Sequence, residues 1–354
     1  MRILLTGATG VIGTETAGTL RAAADTPRHV LVRTARRAPD AGVVPWPIGQ
    51  RPAPAELGGH WDVIVHTAAS TRWTMTRSEA LAANVEPLRA VLALAGRDTH
   101  LVHVSTAYVA GERAADGTGF DGYRNGYEWS KAVCEEIVRQ EHRGPLTIVR
   151  PPLVVGRRRD GRIARFSGPY TLLHALVSGL AAVVVGDPEG FAEISPVDEV
   201  ADAVAGAALG APPRAPRTEI VAAGTRALRL SALIDVTCTA LNAFRAAHGA
   251  PPIAHPPIIP PDTWTRFFLP LADRWLSPFQ AEAVKLLAMF QSYTGMAAPF
   301  TPTRPVRDPA SAMTTAVHHW ATRKPRLALA EPRPWTLLPE DASPPRNPPG
   351  TRPM

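Results

Sequence analysis

Tyr127 and Lys131 stand four residues apart in a stretch with helical periodicity, a spacing that allows proton-transfer chemistry. A helix would place both side chains on one face. The lysine charge would then lower the pKa of the phenol from its ordinary value of about 10. We therefore expect Tyr127 to act as a general acid or base toward a substrate oxygen, supported by Lys131.

Two hydroxyl residues, Ser105 and Thr106, directly follow the apolar run Leu101–Val104. Open α/β sheets bind ligands at the carboxyl ends of their strands. The sequence therefore predicts that Thr106 hydrogen-bonds the same substrate oxygen as Tyr127, with Ser105 beside it. Asn84 is expected either to support a proton relay or to distort its helix.

A glycine-rich segment near the N-terminus, TGATGVIG at residues 6–13, is typical of a dinucleotide-binding turn. Its glycines permit a tight turn and a close backbone approach to a pyrophosphate, which the following helix N-terminus attracts. The residues predicted to form this turn are Gly7, Thr9, Gly10, Val11, Ile12 and Gly13.

Basic residues follow the second predicted strand, where an NAD-preferring site usually carries a carboxylate. Arginine suits a 2′-phosphate through bidentate, charge-assisted hydrogen bonds, so we expect NADP (NADPH), bound by Arg33 and Arg36. A solvated cluster is the alternative for Arg36 and Arg37. Further cofactor contacts are predicted at His66, Ala68, Ala69, Asn84, Tyr127, Lys131, Pro151 and Val154.

Strands and helices alternate through the first 150 residues. The predicted strands are Ile3–Leu5, His29–Val32, Val43–Trp46, Asp62–His66, Leu101–Val104 and Leu146–Val149. The predicted helices are Val11–Ala24, Ser78–Leu94 and Tyr127–Arg139. This alternation indicates an α/β fold: a Rossmann-like, doubly wound parallel sheet with a smaller, mostly helical C-terminal substrate domain.

The expected division is an NADP-binding domain at 1–150, with later segments returning to the sheet, and a substrate-binding and lid region at 151–330. Helices are predicted at Asp198–Leu209 and Ser231–Ala247, capped by Ser195 and Ser231. Apolar helices Phe267–Leu276 and Glu282–Phe290 could form the lid. Residues 331–354 hold 8 prolines and are expected to be disordered.

The chain is basic, with a formal net charge of +7 and a pI of about 10.0. Since no nucleic-acid-binding module accompanies this charge, we expect a phosphorylated cofactor, coenzyme A or an acidic acyl carrier protein as partner. The alternative is that the arginines reflect base composition and solubility. No ligand spacing indicates a metal site, and adjacent His318 and His319 on a helix would point in different directions.

Cysteine usage and hydropathy suggest a cytoplasmic protein. Cys134 and Cys238 are far apart and lie in apolar patterns, as expected for reduced, buried thiols. The uncharged stretch Ser167–Gly186 is long enough to span a bilayer, but Gly168, Pro169 and Gly179 interrupt it. We expect a helix and a buried strand there, without stable membrane insertion.

Longer motifs surround these residues: HVSTAYVAG at 103–111, NGYEWSK at 125–131, VRPPLVVG at 149–156, GPY at 168–170 and SPVDEVAD at 195–202. Over about residues 1–210 the chain resembles the extended short-chain dehydrogenase/reductase superfamily. Its fatty acyl-CoA reductase (male sterility) and thioester reductase branch is the most similar. The resemblance implies Thr106, Tyr127 and Lys131 as the active set.

Two departures limit what the resemblance implies. Where the superfamily usually has an acidic residue after the third strand, this chain reads VPWPI at 44–48, which leaves the adenine contacts open. Beyond Leu209 the match is thin, so the resemblance does not give the identity of the substrate.

The expected reaction is NADPH-dependent reduction of an acyl thioester, on coenzyme A or a carrier protein, to an aldehyde or alcohol. The alternative is a reductase or dehydrogenase of a free aldehyde, ketone or alcohol. A nucleotide-sugar epimerase or dehydratase follows less well from the sequence. A third hypothesis, of another class, is a non-catalytic NADP-binding regulator.

Overall fold

A computed structural model of the chain describes residues 1–23, 29–37, 42–110, 119–179, 183–268, 270 and 293–332. The strands are β1 Arg2–Thr6, β2 Val30–Ala35, β3 Val43–Pro45, β4 Val63–His66, β5 His100–Val104, β6 Leu146–Arg150, β7 Leu153–Val155, β8 Val184–Val185, β9 Phe191–Ala192, β10 Ile194–Pro196, β11 Arg217–Ala222, β12 Leu228–Arg229, β13 Ile258–Ile259 and β14 Arg304–Pro305.

The α-helices are α1 Val11–Ala23, α2 Arg77–Ala80, α3 Glu86–Leu92, α4 Gly126–Glu141, α5 Pro169–Ser178, α6 Val197–Leu209, α7 Leu230–Ala247, α8 Pro261–Thr263, α9 Pro309–Arg323 and α10 Pro325–Ala328. Two π-helical turns, Leu81–Val85 and Trp264–Phe268, continue α2 and α8. Short 3₁₀ turns lie at Ala55–Leu57, Ala107–Ala110, Phe120–Gly122 and Gly224–Arg226.

Eight strands form one sheet in the order β14-β11-β6-β5-β4-β1-β2-β3, and every neighbouring pair runs parallel. The strand order reverses between β1 and β4, whose ends pair at Thr6 and His66. A ligand crevice is expected at such a switch point, beyond the carboxyl ends of the strands. The sheet confirms the predicted Rossmann-like, doubly wound fold.

Alternating side chains of the strands build the cores on the two faces of the sheet. Ile3 and Leu5 of β1 pack in the core that holds Leu20 of α1 and Val204 of α6. Leu4, between them, packs in the opposite core with residues of α3 and α4. A further core is shared by α5, α7 and α9, the helices that follow the main series of strands.

Several local predictions were wrong at the ends of elements. Helix α6 begins after Pro196, and the Ser195 hydroxyl donates to the Val221 carbonyl instead of capping the helix. Helix α7 begins after Arg229, so Ser231 lies inside it and donates to Pro188.

Other predictions concern residues that the structure describes only in part. The buried strand expected near the end of Ser167–Gly186 corresponds to β8, Val184–Val185, which pairs with β13. Most of the predicted lid helices, from residue 269 to 292 except residue 270, lies outside the described residues, as does the tail from residue 333.

Helix α4, which carries the predicted tyrosine and lysine, is tied to the sheet by a bidentate ion pair. Arg150, at the end of β6, donates from Nε to Glu135 Oε1 at 2.9 Å and from Nη2 to Oε2 at 2.5 Å. Glu135 is only 4% exposed, and its second cation, Arg139, lies farther away at 3.7 Å, so its carboxylate depends mainly on Arg150.

Replacing Arg150 with Met is expected to lower the free energy of unfolding by about 3 kcal/mol, because it leaves a buried carboxylate poorly compensated. As the control, Arg89→Met breaks an ion pair to Glu141 in which both side chains are about half exposed, and should cost less than about 1 kcal/mol. Urea denaturation measures both; equal losses would contradict this account of α4.

Candidate active site

Lys131 is buried between α4 and the end of β5, where it is 2% exposed. Its Nζ donates to the Val104 carbonyl at 2.7 Å and lies 3.3 Å from His103 Nε2. Burial lowers the pKa of Lys131, and it lowers the pKa of His103 well below its ordinary range. A neutral His103 with its lone pair on Nε2 can therefore accept a hydrogen bond from the lysine.

Tyr127 and Thr106 meet at the carboxyl end of β5, as the sequence predicted, and the two side chains are hydrogen-bonded to each other. The Thr106 hydroxyl also lies 3.4 Å from the Pro151 carbonyl. Ser105 beside it is 2% exposed, and its hydroxyl has no hydrogen-bond partner among the residues that the structure describes. Ser105, Thr106, Tyr127 and Lys131 all line a cavity of about 460 Å³, which we call the catalytic cavity.

The prediction that Lys131 lowers the pKa of Tyr127 was wrong. Burial, with the neighbouring Glu128 carboxylate, raises the pKa of Tyr127 above its ordinary value, and the hydrogen bond from Thr106 offsets this only in part. The phenol is therefore held in its protonated form, as a hydrogen-bond donor.

The glycine turn packs as dinucleotide binding requires. Gly7 has φ +72°, and a Cβ there would lie 2.6 Å from the Ala68 nitrogen. A Cβ on Gly13 would lie 2.1 Å from the Gly7 carbonyl oxygen, so Gly13 serves close packing and does not face a ligand. Together these contacts bring the backbone between β1 and α1 to the switch point, the fit that a pyrophosphate needs.

A second cavity, the cofactor cleft, adjoins the catalytic cavity and has a volume of about 570 Å³. Of the predicted cofactor residues, it is lined by Gly7, Thr9, Gly10, Arg36, Ala68 and Ala69. The catalytic cavity is lined by Val11, Ile12, Tyr127, Lys131, Pro151 and Val154, and shares Gly10 and Ala69 with the cleft. The two cavities thus bring most of the predicted cofactor contacts together.

Four predicted cofactor residues do not line either cavity: Gly13, Arg33, His66 and Asn84. Strand β2 continues to Ala35, which places Arg33 inside the strand and Arg36 directly after it. His66 is 2% exposed, bonded through Nδ1 to Thr6 Oγ1 at 2.8 Å and stacked on His103.

Asn84 lies outside both cavities and hydrogen-bonds two neighbouring segments of the protein. It lies in the π-helical turn Leu81–Val85, so the predicted helix distortion is present. Its side-chain oxygen accepts from the Ser70 amide at 2.7 Å, and its nitrogen donates to Ser130 Oγ at 2.7 Å. Asn84 thereby holds the segment after β4 against α4.

Sequence reasoning missed several residues that line the cavities. Arg72 and Arg165 line both of them, and Trp73, Tyr108 and Tyr293 line the catalytic cavity. Trp46, Pro47 and Gln50, from the segment after β3, line the cofactor cleft. The position of this last segment directly after a sheet strand was the only available signal. Tyr293 stands more than 160 residues from Tyr127 and had none.

The part of the chain that the structure describes contains no group of three or more metal-ligating side chains. None of its helices has both the length and the apolar character needed to cross a bilayer.

The chain is similar to known proteins over the residues that form this site. Residues 52–204, which include the tyrosine, lysine and threonine of the catalytic cavity, match the family model described as "Male sterility protein". This match covers less than half of the chain, and over it the chain is similar to that family. Known proteins to which the chain is similar include fatty acyl-CoA reductases and, at the level of the fold, proteins solved with NAD or NADPH.

One known protein is similar to this chain in sequence, and another is similar in fold. Fatty acyl-CoA reductase wat of Drosophila melanogaster is 28% identical over 180 residues, which are 40% of this chain and 35% of that protein. The terminal R domain from the myxalamid PKS-NRPS biosynthetic pathway shares the fold, with a TM-score of 0.64 and 21% identity over 94% of this chain and 92% of that one.

A UDP-galactose 4-epimerase also shares the fold, with a TM-score of 0.56 and 18% identity over 91% of this chain and 99% of that one. The chain spans about a third of the length of the curated fatty acyl-CoA reductases it matches.

Gly7→Ala is expected to weaken binding of the nicotinamide dinucleotide roughly tenfold or more, because a loss of only about 1.4 kcal/mol of binding free energy has that effect. Its matched control is Gly18→Ala, an exposed position in α1 where a Cβ meets nothing within 4 Å. Fluorescence titration with NADPH measures the affinity of both variants. Unchanged affinity in a folded Gly7→Ala protein would refute the glycine turn as the pyrophosphate site.

Proposed function

We propose that this chain reduces an acyl thioester, carried by coenzyme A or an acidic acyl carrier protein, to an aldehyde or onward to an alcohol. NADPH is the proposed reductant, and it supplies a hydride to the carbonyl carbon when bound. The observation that carries the proposal is a single cavity lined by Thr106, Tyr127 and Lys131 together with Gly10 and Ile12 of the nucleotide-binding turn.

The residues of the catalytic cavity divide the work between them. The Tyr127 phenol and the Thr106 hydroxyl donate to the carbonyl oxygen, where negative charge develops as the hydride arrives. A preorganised donor of this kind is worth roughly 3–4 kcal/mol in a water-excluded site. Tyr127 then delivers its proton to the oxygen, which gives a thiohemiacetal, and Lys131 holds the end of β5 through Val104. Breaking its C–S bond re-forms the carbonyl, and the hydroxyl proton passes to the departing thiolate, so that aldehyde and thiol are released.

The choice of a thioester rests on the comparisons. The matched curated relatives include proteins named fatty acyl-CoA reductase. A free aldehyde, ketone or alcohol is the alternative substrate, because the same three side chains would serve it. The epimerase shares the fold alone, so it gives no support to sugar-nucleotide chemistry.

Selection of NADPH over NADH is assigned to a basic recess beside the cofactor cleft. Arg36, Arg37 and Arg51 line this recess of about 490 Å³, which shares Arg36, Trp46 and Gln50 with the cleft. Guanidinium groups there suit a 2′-phosphate through charge-assisted hydrogen bonds. The proposed ligands are therefore Arg36 and its neighbours, and Arg33 is left out.

We also propose how the chain is divided between cofactor and substrate binding, and where in the cell the protein lies. Residues 1–150 form the cofactor-binding part, which β11 and β14 complete from later in the chain, and residues 151–330 contribute further residues of the substrate side, such as Gly168 and Tyr293. Cys134 and Cys238 are buried free thiols, which suits the cytoplasmic location that we propose.

Tyr127→Phe should lower kcat for NADPH-dependent reduction of a medium-chain acyl-CoA by roughly 10²–10³, because it removes a donor to the oxyanion. The assay follows NADPH absorbance and thiol release together. Tyr123→Phe, a nearby tyrosine that does not line the catalytic cavity, is the control. Turnover of aldehydes without thiol release would favour the alternative substrate, and NADPH binding without turnover of either substrate would favour a non-catalytic regulator.

Arg36→Ala is expected to raise KM for NADPH about ten- to hundredfold while leaving KM for NADH nearly unchanged, because the loss concerns only the 2′-phosphate. Arg33→Ala should change neither constant, since Arg33 lies within β2. Steady-state kinetics with both cofactors makes the comparison. A larger effect at Arg33 than at Arg36 would restore the assignment drawn from sequence.

A further inference from the structure

Three aromatic side chains, Trp73, Tyr108 and Tyr293, form one continuous surface of the catalytic cavity, which we call the aromatic wall. The rings of Trp73 and Tyr293 are stacked, with centroids 4.5 Å apart and planes inclined by 17°. Tyr108 meets Tyr293 edge to face, at a centroid distance of 4.6 Å and an angle of 89°. Both geometries are the preferred ones for aromatic pairs.

Burial, hydrogen bonds and an arginine side chain fix the two tyrosines of the aromatic wall. Tyr108 and Tyr293 are 4% and 2% exposed. The Tyr293 hydroxyl accepts from Asn125 Nδ2 and is hydrogen-bonded to the Glu128 carboxylate, so it is committed to protein partners. The Arg124 guanidinium lies over both tyrosine rings, 5.3 and 5.1 Å from their centroids.

These contacts also tie the wall to the proton donor. Asn125 is the N-cap residue of α4, and Glu128 directly follows Tyr127. Tyr293, far along the chain, is therefore fixed by the residues on either side of Tyr127. A group that rests against the wall has a defined distance from the donor phenol.

The catalytic cavity has room for an acyl group beside the nicotinamide half of a cofactor. Its volume of about 460 Å³ is lined at one side by Gly10, Val11 and Ile12, where the nicotinamide half of the cofactor would lie. What is left for the acyl group lies between that side and the aromatic wall. A flat group can use such a space well, because it can stack on the half-buried Trp73 ring and meet the edges of Tyr108 and Tyr293, whose faces are largely covered by protein.

We propose that the aromatic wall of Trp73, Tyr108 and Tyr293 selects the acyl group, and that this group is planar, either aryl or conjugated, and not a long saturated chain. The inference rests on the proposed thioester reduction for its substrate class. Its physical basis, the preference of fixed aromatic rings for a planar partner, applies equally to a bound ligand that does not react.

The test measures binding before turnover. Calorimetry compares the affinities of two unreactive amide analogues, cinnamoyl-aminopantetheine and octanoyl-aminopantetheine, for the NADP⁺-loaded protein. We expect the cinnamoyl amide to bind roughly three- to tenfold more tightly, the range that a favourable aromatic contact provides. Tighter binding of the octanoyl amide would overturn the proposal.

Variants assign the preference to the wall. Tyr293→Leu and Trp73→Leu should each reduce the ratio of the two affinities toward one, whereas Tyr293→Phe, which keeps the ring and loses the hydroxyl, should retain it. Trp73 is only half-buried, so its variant tests the wall even if Tyr293→Leu fails to fold. A ratio unchanged in a folded Trp73→Leu protein would overturn the proposal.

Turnover then separates this inference from the proposed function. If the thioesters themselves release no thiol while the cinnamoyl amide still binds more tightly, thioester reduction fails and the wall stands. If thioesters are reduced but the two amides bind with equal affinity, selection of a planar acyl group by the aromatic wall is wrong and thioester reduction is supported.

Discussion

The site depends on a buried ammonium. Moving a lysine charge out of water costs several kcal/mol unless hydrogen bonds replace the solvent, and Lys131 obtains them from the Val104 carbonyl and His103 at the end of β5. The lysine can reach them only while α4 stays packed on the sheet, where the ion pair of Arg150 with Glu135 also holds it. Since Tyr127 lies one turn earlier on α4, the same packing places the phenol beside Thr106.

The sequence allowed the cofactor-binding half of the fold to be predicted because its signals are local. Short apolar runs followed by glycine or hydroxyl residues mark strand ends, and parallel pairing brings these ends to one edge of the sheet. The segment TGATGVIG and the residues after β5 are both of this kind, so the turn and the pair Ser105 and Thr106 lie where they were expected. The helix distortion predicted at Asn84 is present, and its side chain lies outside both cavities, so the cofactor contact there stays a prediction.

The errors come from features that hydrophobicity does not reveal. The apolar run before Arg33 suggested a strand end there, but pairing of Thr34 with Thr6 and of Ala35 with Pro45 extends β2 and moves the cleft contact to Arg36. The pKa of Tyr127 was misjudged because helical spacing reports which charges are near and says nothing of desolvation. Tyr293 reaches the catalytic cavity only through tertiary packing, for which a single sequence carries no pattern.

The protonation state of the site bears on the direction of the reaction. Oxidation of an alcohol requires a base to accept its hydroxyl proton, whereas reduction of a carbonyl requires an acid that donates one. Burial and the Glu128 carboxylate both favour the neutral phenol of Tyr127, and burial also lowers the pKa of Lys131. A buried site that penalises the phenolate holds its proton ready for an oxyanion, which is the protonation state that reduction needs. The desolvation that makes the lysine costly to bury thus also stabilises the neutral phenol, the form that donates to an oxyanion in the proposed reduction.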